Sequence, residues 1–286
     1  MPPSATPEAP DLPPGRTVTL PGRGDTFVRQ IEGPPNAPTI LLLHGWFVNA
    51  DLNWFHVYEP LGELFNVVAL DHRGHGRGIR SGGRFRIEDV ADDAVALLDV
   101  LEIEACVPVG YSMGGPVAMS VWHRHPNRVD GLVLCATSQE FSVTPLERLE
   151  FPALRPLSQS LRALPRRVRQ ELFKRILEWR VGSRNFDPWM REQILQGEPR
   201  LLLDAGAALG RFNARDWIPT VDPELPVSVL VVTDDNMVPT ARQYELAEAI
   251  EHAKLFTTSG THDTPVLYPE LFVAPFVEAV VHAAGK

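Results

Sequence analysis

Gly110-Tyr111-Ser112-Met113-Gly114, followed by Gly115, reads G-x-S-x-G and lies between two runs of different character. Before it comes the apolar, strand-like Ala105-Cys106-Val107-Pro108-Val109; after it comes a helix-like run from Pro116 to His125. A serine that attacks a carbonyl needs an exposed hydroxyl, a neighbouring base and donors that can hold an oxyanion. A sharp strand-to-helix turn supplies these conditions. It pushes Ser112 out at the end of the strand and sets it at a helix N-terminus, where unpaired N–H groups favour negative charge. Such a turn forces strand and helix together, so side chains at 110 and 114 would collide and glycine is required there.

The rest of the chain supplies the frame. Continuous apolar runs at Thr39–Leu43, Val67–Leu70, Ala105–Val109, Leu132–Cys135 and Val227–Val232 read as strands covered on both faces. Arg16–Leu20 and Phe27–Ile31 read as two shorter strands around Pro21-Gly22-Arg23-Gly24-Asp25, and Lys254–Thr258 as a further one. Helical patterns at Ile87–Leu101, Pro116–His125 and Ala241–Ile250 alternate with them. Strands alternating with helices predict an α/β fold with a mostly parallel central sheet and helices on both faces. Ligands then bind beyond the carboxyl ends of the strands.

The alternation breaks between Ser138 and Asp222. That stretch carries proline-punctuated helical segments, among them Arg166–Val181 and Pro188–Gln196, and 14 Lys/Arg against 11 Asp/Glu. The remainder carries 13 against 25, so a segment of net +3 sits in a body of net −12. We read 138–222 as a helical insertion over the sheet's C-terminal edge, splitting a core formed by 16–137 and 223–286. Its arginines Arg162, Arg166, Arg167 and Arg169 are expected to form a solvated face. Residues 1–15, rich in proline, are expected to be a loose tail.

Composition narrows the function. The net charge of −9 argues against nucleic acid, which needs a basic footprint. No apolar run approaches the ~20 residues that span a bilayer, and the N-terminus lacks the layout of a signal peptide, so a cytoplasmic setting is expected. Cys106 and Cys135 fall in apolar runs and read as buried small hydrophobes. The sequence leaves the oligomeric state open, a homo-oligomer included.

A serine nucleophile needs a base, and the base needs an acid that orients it. Of the histidines that follow, His262 lies in the loop Ser259-Gly260-Thr261-His262-Asp263 directly after a strand, whereas His252 and His282 fall on helices. Strand-end loops are where such a sheet presents reacting groups. Val229–Val232 runs into Asp234-Asp235, and only one of two adjacent aspartates can face the histidine.

Five motifs in order resemble the α/β-hydrolase superfamily over nearly the whole chain. Leu43-His44-Gly45-Trp46 is similar to the His-Gly turn after the family's third strand, and Asp71-His72-Arg73-Gly74-His75-Gly76 to its D-x-R-G-x-G loop. Gly110–Gly114 is similar to the nucleophile elbow, and Thr233–Pro239 to the T-x-D-x-x-V-P acid loop, which selects Asp235 over Asp234. Gly260-Thr261-His262 is similar to the base loop. The resemblance implies a Ser112–His262–Asp235 triad and an oxyanion hole from the backbone N–H groups of Trp46 and Met113. It makes His44, and with it His72 and His75, loop-bracing residues, and it implies neither cofactor nor metal.

The implied reaction is ester hydrolysis of a partly apolar small molecule through an acyl-enzyme. Serine at 112 disfavours dehalogenase and epoxide-hydrolase chemistry, which use aspartate there. C–C bond hydrolysis, lactone hydrolysis and acyl transfer stay open on the same triad, as does a ligand receptor of this fold. The His-Gly turn lacks the glycine-rich sequence common in the C–C hydrolases, and Phe47 stands where perhydrolases often carry proline. The insertion contributes Phe141, Phe151, Phe173, Trp179, Phe186, Trp189, Phe212 and Trp217, most of them expected in packing rather than in a pocket.

Overall fold

The computed structural model describes residues 9–181 and 187–286, with the side chains of 179–181 excepted. Eight strands form one sheet: β1 (Gly15–Leu20), β2 (Gly24–Ile31), β3 (Thr39–Leu43), β4 (Asn66–Leu70), β5 (Val107–Tyr111), β6 (Leu132–Cys135), β7 (Val227–Val232) and β8 (Lys254–Thr258). Their order is β1-β2-β4-β3-β5-β6-β7-β8. The β1–β2 and β2–β4 pairs are antiparallel. From β4 to β8 every neighbour is parallel. The α/β architecture expected from the alternating runs is therefore present.

Why the central strands read as unbroken apolar runs is visible in β3. Leu41 and Leu43 face one apolar cluster while Ile40 and Leu42 face another, because successive side chains leave a strand on opposite sides. The first cluster is closed by α3 (Ile87–Val100), α4 (Gly114–Arg124) and α9 (Thr240–Ala249). The second is closed by α1 (Ala50–Trp54), α2 (Tyr58–Gly62) and α11 (Pro269–Ala283), whose Trp54, Leu61, Phe272 and Phe276 have no exposed surface. Each such side chain contributes about 1.5–3 kcal/mol on leaving water, which is what fixes the sheet between two helical layers. A further short helix, α10 (Thr264–Leu267), follows the His262 loop.

Between β6 and β7 lies a helical insertion of α5 (Glu147–Leu161), α6 (Arg166–Val181), α7 (Pro188–Leu195) and α8 (Pro199–Leu209). It is closed at its neck by an antiparallel bridge between Glu140 and Asn213, with the Ala214 N–H donating to the Gln139 carbonyl at 2.8 Å. Ala205, Ala208 and Leu209 of α8 join the first core cluster, so the insertion is packed onto the body rather than hung from it. Of the four arginines expected on a solvated face, Arg166 and Arg167 are exposed, and Arg162 reaches the Gly82 carbonyl at 3.3 Å. Arg169 instead pairs with Glu198 at 2.8 Å, its side chain 15% exposed.

Three details differ from the sequence expectation. Strand β5 covers Val107–Tyr111, two residues later than the apolar run, so the strand continues straight into the G-x-S-x-G motif. Helix α5 forms in spite of Pro152 and Pro156, with the Glu147 N–H donating to Thr144 Oγ1 (3.2 Å) and the Thr144 N–H to Glu147 Oε2 (2.8 Å). This reciprocal cap starts the helix, and packing against α8 sustains it. In the proline-rich N-terminal stretch, residues 1–8 lie outside the described residues. Leu12 packs against the core, and the Pro13 carbonyl accepts from Arg29.

Candidate active site

Ser112 stands in the turn between β5 and α4 with φ of 53°, in the left-handed region that a residue with a side chain enters only when the surroundings compel it. The compulsion is steric and polar. A Cβ at Gly110 would lie 2.2 Å from the Gly114 carbonyl oxygen, and one at Gly114 would lie 1.9 Å from that of Leu43. The Ser112 N–H donates to Cys135 O at 2.9 Å, and its carbonyl accepts from Thr137 Oγ1 at 2.8 Å. The turn is thus held from the neighbouring strand β6, and Ser112 is 7% exposed.

His262 follows β8 in a loop whose Gly260 has φ of 110°. Its Nδ1 lies 2.7 Å from Oδ2 of Asp235, whose side chain has no exposed surface. Asp235 is held in turn by four donors. Its Oδ1 accepts from the N–H groups of Met237 (2.8 Å) and Val238 (2.9 Å), and its Oδ2 from Gln243 Nε2 (2.9 Å) as well as the histidine. An ionised carboxylate beside Nδ1 keeps the proton on that nitrogen and leaves the Nε2 lone pair available as a base. Asp234 faces elsewhere: it is exposed, and its Oδ2 accepts from Thr233 Oγ1 and from the Gly260 N–H.

The loop after β3 brings Gly45 to the serine. A Cβ on Gly45 would touch the Ser112 Cβ at 3.4 Å. The Gly45 N–H is occupied by Asn53 Oδ1 at 2.8 Å, whereas the N–H groups of Trp46 and Met113 have no acceptor among the described residues. Trp46 also reaches the insertion, its indole Nε1 donating to Leu202 O at 2.8 Å. Beside it Phe47, with φ of 67°, lies 4.4 Å from the Trp46 ring and stacks on Phe173 of α6 at 6.3 Å.

Below this loop three histidines are buried together. The His44 and His72 rings are 4.0 Å apart, and His44 and His75 5.4 Å apart. His44 Nε2 accepts the His72 N–H at 2.9 Å, so its Nδ1 carries the proton and donates to Gly45 O at 2.8 Å. His75 Nδ1 contacts the Arg73 carbonyl at 3.1 Å. Burial pushes His44 down to about 4 and His75 down to about 3, and drives His72 well below the usual histidine range. All three are neutral at pH 7; His44 ties its turn to the Asp71–Gly76 loop through the His72 N–H, His75 braces that loop from within, and neither ring nitrogen of His72 has a hydrogen-bond partner among the described residues. Among the described residues no group of three or more His, Cys, Asp or Glu side chains is arranged to hold a metal ion.

Other contacts were not legible in the sequence. Tyr111 donates its hydroxyl to the His262 carbonyl at 2.8 Å and packs its ring 5.3 Å from the imidazole. Gln243, fully buried at the start of α9, joins Asp235 to the Val232 N–H (2.9 Å) and the Val238 carbonyl (2.8 Å). Glutamine and tyrosine at these positions carry no pattern of their own; only the fold reveals what they touch. His252 and His282 stand apart from this cluster, against Leu225 O and Ser228 Oγ.

Most insertion aromatics serve packing. Phe141 and Trp189 are buried, and Phe151, Phe212 and Trp217 lie against the first core cluster, Trp217 stacking on His123 at 4.4 Å. Phe186 and the side chain of Trp179 lie outside the described residues. Both cysteines are free and buried, and burial raises the Cys106 thiol to about 12.

Fold and site geometry meet in one family. Residues 38–265 match the family described by the alpha/beta hydrolase fold, and the chain belongs to it. It is 27% identical over 262 residues to a bifunctional esterase/perhydrolase of Acinetobacter calcoaceticus, covering 83% of this chain and 90% of that protein. Among solved structures, it resembles an enol-lactonase from Burkholderia xenovorans LB400 with a TM-score of 0.73 and 21% identity, covering 93% of this chain and all of the other. A thermophilic esterase from Thermogutta terrifontis superposes with a TM-score of 0.74 at 22% identity, covering 94% and 99% of the two chains. At these identities the structural likenesses speak to the fold alone. No helix among the described residues is long and apolar enough to cross a membrane.

Proposed function

We propose that this protein is a serine hydrolase that cleaves a carboxylic ester of a partly apolar small molecule. The observation that carries the reading is the Asp235–His262 pair at 2.7 Å, its carboxylate side chain fully covered, in strand-end loops of the same parallel sheet whose β5–α4 turn holds Ser112 at φ of 53°. His262 Nε2 takes the proton of Ser112 Oγ as the oxygen attacks the carbonyl carbon. The negative charge that develops on the carbonyl oxygen is held by the N–H groups of Trp46 and Met113, each such donor being worth about 3–4 kcal/mol of barrier. His262 returns the proton to the leaving alcohol, and the acyl group stays on Ser112. Water then enters, gives a proton to His262 and its oxygen to the acyl carbon, and the acid departs as Ser112 recovers its proton.

The insertion acts as a lid over this site. Trp46, Phe47 and Phe173 give the oxyanion side an aromatic wall, which supports an apolar group in the substrate. The similarity to an esterase/perhydrolase supports the ester reading over C–C cleavage or simple ligand binding. Incubation with a fluorophosphonate probe and with short p-nitrophenyl esters tests it. Wild type is expected to label and turn over, and Ser112→Ala to do neither; a wild-type protein inert in both assays overturns the reading.

A further inference from the structure

A cavity lies away from Ser112, where the loop before α3 meets the end of α8. Its volume is about 410 Å³, within the range of small-molecule sites, and no residue of the Ser112 site lines it. Arg84 and Arg86 enter it from an extended segment whose intervening Phe85 turns the other way and is 3% exposed. Arg211 enters from the residue after the α8 C-cap, Gly210.

The charges in this cavity do not cancel. Among the described residues, Arg84, Arg86 and Arg211 have neither an ion pair nor a side-chain hydrogen bond. Arg124, also in the wall, is engaged by both carboxylate oxygens of Asp92, at 3.0 and 2.9 Å. Asp89 is engaged by Arg73 at 3.7 Å, which leaves Glu88 as the carboxylate without a partner. Three unpaired guanidiniums against one unpaired carboxylate leave an excess of two positive charges in a chain whose net charge is −9. Burial first, then the nearby guanidiniums of Arg84 and Arg155, lower the pKa of Arg211 and outweigh the carboxylates of Asp204 and Glu88, which raise it.

We infer that this cavity is a binding site for a phosphate monoester of a small organic molecule. A phosphate monoester carries about −1.5 to −2 charges at pH 7, matching the excess, and guanidinium forks engage phosphate oxygens two at a time. Ile87, Ala208 and Phe212 supply an apolar floor for the organic part, which a bare inorganic ion would leave wet. An occupant joins the loop before α3 to α8, the helix that receives the Trp46 indole, and so braces the insertion on the body.

Titration calorimetry of Ser112→Ala with phenyl phosphate tests the site independently of any reaction at Ser112. Saturable one-to-one binding is expected, weakened at least about tenfold by Arg84→Gln or Arg211→Gln. Inorganic phosphate should bind more weakly, and sodium chloride at matched ionic strength should not reproduce the heat. Both arginines are exposed, and an unchanged circular dichroism spectrum and thermal midpoint without ligand confirms that each variant is folded. Binding that survives both substitutions, or a signal equalled by matched salt, overturns the assignment.

Discussion

His262 Nδ1 and Asp235 Oδ2 are 2.7 Å apart, while the adjacent Asp234 turns to the Gly260 N–H on the exposed side of the same loop. The chain turns directly after β7 ends at Val232, and the turn commits one aspartate inward and the other outward. Asp235→Asn is expected to lower kcat on p-nitrophenyl esters by up to about 10,000-fold, since an amide no longer fixes the proton on Nδ1. Asp234→Asn should leave kcat within a few-fold. Steady-state kinetics of the two variants decide, and an inverted order refutes the assignment of Asp235.

Gln243 is the second test of that geometry. It donates to Asp235 and accepts from the Val232 N–H, so Gln243→Leu leaves a buried amide and a carboxylate oxygen short of a partner. The unpaired groups should cost about 1–3 kcal/mol of stability. As a positioning residue, Gln243 should affect kcat by roughly tenfold with little change in KM. A variant that loses stability but keeps kcat would mean that the Asp235 carboxylate is oriented without it.

The buried histidines predict an acid limit. His44, His72 and His75 have folded pKa values below the 6.5 of a free imidazole, at about 4 for His44 and about 3 for His75. The unfolded chain therefore binds more protons as pH falls below 6.5. Stability present above that value is lost progressively down to about pH 3, at up to about 1.4 kcal/mol per pH unit for each group. Asp71, raised chiefly by its burial, works the opposite way, one carboxyl against three imidazoles. Urea unfolding at pH 7.0, 5.5 and 4.5 should show a falling midpoint, and a flat profile would contradict the burial of the cluster.

Gly206 decides how closely α8 approaches the site. A Cβ there would lie 2.3 Å from the Trp46 ring and 2.6 Å from Leu154 Cδ1. Gly206→Ala gains about 1 kcal/mol of helix propensity, yet overpacking typically costs about 1–3 kcal/mol. The clash should win. A lowered melting temperature and an altered tryptophan emission spectrum are expected; a raised melting temperature would mean that the interface yields.

What the sequence made legible was whatever follows from periodicity and from loops at strand ends. The apolar runs of β3, β4, β6 and β7 lie where residue type alone sets them, because both faces of those strands are covered. Strand β5 runs on to Tyr111, past a Gly110 that looks like a breaker in a string of letters, because the sheet holds it between β3 and β6. Helix α5 was hidden by two prolines, and its partner α8 by Gly206 and Gly210, residues chosen for what the helix touches. Tyr111 and Gln243 act through partners 151 and 8 residues away in sequence, and no local pattern announces such contacts.

The bridge of Glu140 with Asn213 gives the insertion a narrow waist. Chain enters and leaves there side by side, so what lies beyond can be lengthened, shortened or exchanged without shifting the register of β6 against β7. Ser112, Asp235 and His262 all sit on the body side of the waist. On the proposed function, the helices between 140 and 213 can vary what reaches Ser112 only while α8 keeps its seat against Trp46 and the first core cluster.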